Sequence, residues 1–87
     1  MTTIKKRVFL TFGNKKLVES PVIWLMANRY PEVVFDIRQA SVSNDIGIMA
    51  INLEGEIDRV QAALNFLAQQ GVTVEPIEKT IVEAGKE

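Results

Sequence analysis

A chain of 87 residues with a net charge of −1, no cysteine and no histidine has room for one small domain. Its composition excludes disulfides, thiolate nucleophiles, iron–sulfur ligation, the usual zinc ligands and the commonest general base near neutral pH. With 47% hydrophobic and 24% charged residues it is otherwise an ordinary globular sequence, small enough for dimerisation to help its stability.

Ile4 to Phe12 alternates as a strand. Ile4, Val8, Leu10 and Phe12 share one face, with Lys6 the exception among them; Lys5, Arg7, Phe9 and Thr11 share the other. The N-terminal apolar stretch is too short for a signal peptide, and no run approaches the roughly 20 apolar residues that span a bilayer. A cytoplasmic protein without membrane insertion is expected. Lys5, Lys6, Arg7, Lys15 and Lys16 precede the first acid, Glu19. The cluster reads either as a site for phosphates or a carboxylate ligand, or as a solvated strand end and loop.

Gly13-Asn14-Lys15-Lys16 reads as a loop. Ser20 is suited to cap a helix and Pro21 to its first position, so a helix is expected from there to about Tyr30, stopped by Pro31. Val22, Ile23, Met26 and Tyr30 form its apolar stripe, with Leu25 beside it. Trp24 lies off that stripe, as an anchor for a partner or packed along its own helix or under the preceding loop.

Val33 to Glu54 reads as two long strands folded back around Ser43-Asn44-Asp45. In the second strand Ile46, Ile48 and Ala50 point one way and Met49, Ile51 and Leu53 the other. A sheet with one solvated face would be polar on that face, so the hairpin is expected to be covered on both sides. Gly47 inside the strand implies a bulge, a close approach, or a small apolar recess beside Met49 suited to an aliphatic or thioether side chain. Gly55 marks a turn. Glu56 and Asp58 place negative charge at the start of a second helix, whose stripe is Ile57, Val60, Leu64 and Leu67, and Gln70-Gly71 ends it. Val72 to Ile77 is a last strand, and Pro76 confines it to a sheet edge.

The order strand, helix, strand, strand, helix, strand predicts an α+β, ferredoxin-like βαββαβ fold, a four-stranded antiparallel sheet with two helices on one face. A single domain spans 4–77, with 78–87 as a flexible C-terminal tail. The other sheet face then carries uncovered apolar residues, and burying roughly 400 Å² of them per subunit favours association by roughly 10 kcal/mol before entropic costs. A homodimer is expected, through that face by Phe9, Ile46, Ile48 and Ala50, or through an edge.

The opening strand RVFLTF, the hairpin, Gly47-Ile48-Met49 and the passage QAALNFLAQQGVTVE together resemble the NIL domain, from about Arg7 to Ile77. That domain follows the ATPase subunit of bacterial methionine importers and occurs in some ferredoxin-containing proteins. The resemblance implies a ferredoxin-like domain that pairs with a second copy and binds methionine as a regulatory sensor. The family's Asn-Ile-Leu triplet falls on Asp36-Ile37-Arg38. Asp36 replaces an amide by an acceptor-only carboxylate suited to an ammonium group, and Arg38 is suited to a carboxylate. The resemblance thus implies a ligand site of Asp36, Ile37, Arg38, Gly47 and Met49; alternatively Asp36 and Arg38 pair with each other or across a dimer.

The expected function is that of a stand-alone dimeric sensor of methionine or a related amino acid, or an accessory subunit to a protein of transport or sulfur amino-acid metabolism. A ligand-free dimerisation module is the alternative. RNA-recognition-like binding is a more distant alternative, since that fold shares the element order, but IGIMAINL lacks the stacking aromatics of its third strand, so no nucleic acid is expected as a partner. Nothing in the sequence cradles phosphate, binds metal or activates a nucleophile. Neither enzymatic activity, a cofactor nor a metal is expected.

Overall fold

The computed structural model describes residues 2–82, with side chains through residue 77. The elements run β1 (Thr3–Phe12), α1 (Lys15–Glu19), α2 (Val22–Arg29), β2 (Val34–Val42), β3 (Gly47–Glu56), α3 (Ile57–Gln69) and β4 (Thr73–Val82). The strands form one antiparallel sheet in the order β2-β3-β1-β4. This is the expected ferredoxin-like fold with one short helix added.

Register explains which residues meet. Directly opposite residues share a sheet face, so Val8 opposite Ile51 and Lys6 opposite Leu53 make one inward row from β1 and β3. Ile4, Val8, Leu10, Phe12, Ile51 and Leu53 are buried there against Val60, Ala63, Leu64 and Leu67 of α3 and Val22 and Met26 of α2. Both helical sets recur at three- and four-residue spacing, as an amphipathic helix requires. Phe66 joins this core and meets Tyr30 edge-on at 6.0 Å between ring centres, a contact the stripe pattern does not reveal.

Four local expectations change. Lys15 to Glu19, partly expected as loop, is a helical turn because Asn14 Oδ1 accepts the Leu17 amide at 2.9 Å, an N-cap bond. Ser20 consequently ends α1 rather than starting α2, and Pro21 stands at the cap of α2 without a side-chain bond. Gly55 is no turn: it pairs with Ile4 inside β3. Helix α3 follows β3 at once, and the carbonyl of Thr2 accepts the free Ile57 amide at 2.9 Å.

The expected boundary at residue 77 also shifts. Pro76 does sit on an edge strand, opposite Val8, but β4 continues through Val82 opposite Ile4. An irregularity between Lys6 and Val8 lets pairing resume beyond the missing donor. Residues 78–82 of the expected tail are therefore strand, and 83–87 lie outside the described residues.

The chain's own helices cover the hairpin incompletely. Strand β2 has β3 as its main neighbour, and the helices leave it bare even on their own side, where Ile37 is 51% and Val42 60% exposed. Gly71, at φ +100°, closes α3 in the left-handed region that glycine enters without strain.

Two outcomes test this packing. Leu67→Ala is expected to cost about 2–5 kcal/mol in urea unfolding, while Ile37→Ala costs far less because its side chain is already half in water. Arg59 binds Glu32 and lies over the Tyr30 ring at 5.2 Å. Its hydrogen bond holds the Glu32 carboxyl below the usual carboxylate range. Because the folded-state value is lowered, this stabilisation is present above the ordinary carboxylate range and is lost as pH falls through the lowered value. Arg59→Gln is therefore expected to lower Tm modestly at pH 7, the gap from the parent closing under acid.

Candidate functional site

The residues that the family resemblance groups as a ligand site divide between the two faces of the sheet. Asp36 lies opposite Asn52, whose other neighbour is Arg7, so these three form a row across the open face. Arg7 Nε donates to Asn52 Oδ1 at 2.8 Å, and Asn52 Nδ2 and Arg38 Nη1 both reach Asp36 Oδ1 at 3.5 Å. Arg38 shares this face with Asp36 by strand alternation, and the β2 register slips beside it, between Ile37 and Gln39, a bulge. The group is solvated and bears both signs of charge. Its two contacts at 3.5 Å are long enough to open at little cost.

The next row of the open face is Phe9, Ala50 and Gln39, followed by Thr11, Ile48 and Ser41. Phe9, Ile48 and nearby Ile46 are exposed apolar side chains. Ala50 differs from the other expected interface residues. It is 6% exposed, a methyl sunk between larger neighbours, and would floor an interface rather than project into it.

Gly47 and Met49 lie on the helix side. They line a recess of about 180 Å³ with Phe12, Val18, Trp24 and Val42. A Cβ added to Gly47 would meet Phe12 and Val18 at 3.6–3.7 Å, ordinary contact, so neither steric crowding nor unusual backbone demands glycine there. The missing side chain instead leaves the recess open. Ile37 shares this side but faces Ile51, two residues along β3 from Met49, and does not line the recess.

Trp24 is the residue that sequence reading left undecided. It is 63% exposed and forms one wall of the recess, so it is packed under neither the loop nor its own helix. Asn28 Nδ2 donates to its carbonyl at 2.9 Å. Position off the apolar stripe of α2 was the available signal; the recess itself arises from the α1–α2 turn, whose Ser20 and Pro21 also line it. Among the described residues no acidic cluster could hold a metal ion, and no helix is long and apolar enough to cross a membrane.

The NIL domain model matches residues 6–76. The chain belongs to the NIL domain family. Among solved structures it is similar to the C-terminal domain of an ABC transporter ATP-binding protein from Enterococcus faecalis, at 26% identity and TM-score 0.68, covering 85% of this chain and 84% of that one. Two further structures share the fold alone. One is an amidase of the hydantoinase/carbamoylase family from Burkholderia phymatum (10% identity, TM-score 0.57, 93% of this chain and 29% of that one). The other is the de novo designed protein Foldit4 (9%, 0.57, 88% and 98%). No curated protein matches the sequence at a significant level.

As the chain's single tryptophan, Trp24 reports on this recess. Its emission is expected at the red-shifted position of a hydrated indole and open to acrylamide quenching; a blue-shifted, unquenched signal would contradict the exposed wall.

Proposed function

We propose that this NIL domain is a regulatory binding module that works as a homodimer and responds to an amino acid with an apolar side chain, methionine or a close relative. The observation that carries the reading is the recess beside Met49, Gly47 and Trp24. It has room for one side chain, and its lining is apolar apart from Ser20. A thioether or branched aliphatic group is the natural occupant, since burial of such a side chain is worth roughly 1.5–3 kcal/mol. The charged ammonium and carboxylate would stay at the mouth, in water.

In this reading Asp36 and Arg38 serve pairing more than ligand binding, because the sheet separates them from the recess. The open face supplies a surface for a second copy: exposed Phe9, Ile46 and Ile48 provide apolar area, and the two-signed group of Arg7, Asp36 and Arg38 supplies charges that can exchange partners across a two-fold axis. Similarity to the C-terminal domain of a transporter ATP-binding protein supports a cytoplasmic setting and a transport-related partner. The module is not an enzyme in this account.

A second reading, a ligand-free dimerisation module, is favoured by the same exposed face, which needs no small molecule to be useful. Thermal-shift and calorimetric titration with methionine, homocysteine and the other amino acids separates the two. Ligand at one hundred times its Kd is expected to raise Tm by on the order of 10 °C. Gly47→Val should abolish the response while keeping the unliganded Tm near the parent's, and Asp36→Asn should leave it intact. Loss of the response in Asp36→Asn alone would move the ligand to the open face. No response to any amino acid, from a protein that light scattering finds dimeric, would favour the pairing module. Ile48→Glu is expected to yield monomers.

A further inference from the structure

The inward row of β1 contains one residue that does not belong to a core. Ile4, Val8, Leu10 and Phe12 join the buried cluster, whereas Lys6, between the first two, is half-buried and borders a groove of about 240 Å³ between α3 and β4. Helix α3 packs on β3, β4 and β1, and the groove lies along its margin, beside Gln61, Asn65 and Ala68. Its floor includes Val8 and Leu64, both buried, with Val74 along the β4 side.

The α3 wall is built at helical spacing. Gln61 and Asn65 project into the same groove as Leu64, and Gln61 Nε2 donates to Asn65 Oδ1 at 3.1 Å. That bond orients both amides. Asn65 is left with its two amide hydrogens to offer, and Gln61 with its carbonyl. Lys6 makes no ion pair with any described side chain. An ammonium group and an amide donor therefore border an apolar floor, with no described carboxylate paired to the cation.

An apolar groove with one cation at its border selects a ligand with a negative head and an apolar tail. We propose that the α3–β4 groove binds short aliphatic monocarboxylates, with Lys6 Nζ and Asn65 Nδ2 holding the carboxylate and the tail resting on Leu64, Ala68 and Val74. The groove is too small for a long-chain fatty acid or a nucleotide. It shares no lining residue with the recess beside Trp24, and it stands independently of the function proposed above.

The test is an NMR titration of the ¹⁵N-labelled protein with hexanoate, 1-hexanol and hexylamine. Hexanoate is expected to give saturable shifts of the Gln61 and Asn65 side-chain amides. The neutral alcohol should bind at least about tenfold more weakly, as loss of a charge-assisted bond implies, and the amine more weakly still. Lys6→Met should bring hexanoate down to the level of hexanol while the rest of the spectrum is unchanged, and Lys6→Arg should retain the preference. Gly47→Val, which fills the other cavity, should change nothing here. Equal affinity for hexanoate and hexanol, no effect of Lys6→Met, or shifts that map to Trp24 and Gly47 would each overturn the proposal.

Discussion

Two packed helices cannot roof four strands, and most features of this domain follow from that shortage of cover. Helix α3 sets its stripe of Val60, Leu64 and Leu67 against the inward row shared by β1 and β3, and α2 adds Val22 and Met26. The central strands are sealed by this contact. The edge strands are not, and β2 is left with Ile37 and Val42 largely in water. The recess opens where the α1–α2 turn ends above β3, and the groove runs between α3 and β4. Both cavities are margins of one helical layer.

The open face obeys different rules. Among the described residues no element covers it, yet its rows change from charged to apolar along the strands, from Arg7, Asn52 and Asp36 to Phe9 and Ile48. Such a surface suits association better than solvation alone, since exposed apolar residues flanked by polar ones are the usual anatomy of an interface. Asp36 belongs to the charged row. Its carboxylate accepts from Asn52 and Arg38, a local arrangement that already occupies the group.

Sequence periodicity located every strand and the long helix, because each has a face that must be apolar to fold. It was weaker where a single bond or a register slip decides the outcome. Asn14 turns an apparent loop into a helix with one hydrogen bond. The bulge after Ile37 leaves Arg38 on the face that alternation from Asp36 gives it but changes the partner and face of every β2 residue that follows. Pro76 marks an edge strand in the sequence itself, whereas the strand's continuation beyond it depends on β1 being there to pair with. Lys6 and Trp24 were both visible as exceptions to their stripes, without any sign of which cavity each would border.

The sequence by itself determined the element order, the apolar faces, the absence of cysteine and histidine chemistry and, through its ordered motifs, membership of the NIL family. These are properties of local spacing and of side-chain inventory, which survive in one dimension. Only the tertiary structure decided which apolar residues remain uncovered and that Asp36 and Arg38 stand on the opposite side of the sheet from Gly47 and Met49. It also decided that Lys6 meets Gln61 and Asn65 across a groove. Those facts depend on strand register and on where each helix runs out, and neither is set until distant parts of the chain have packed together.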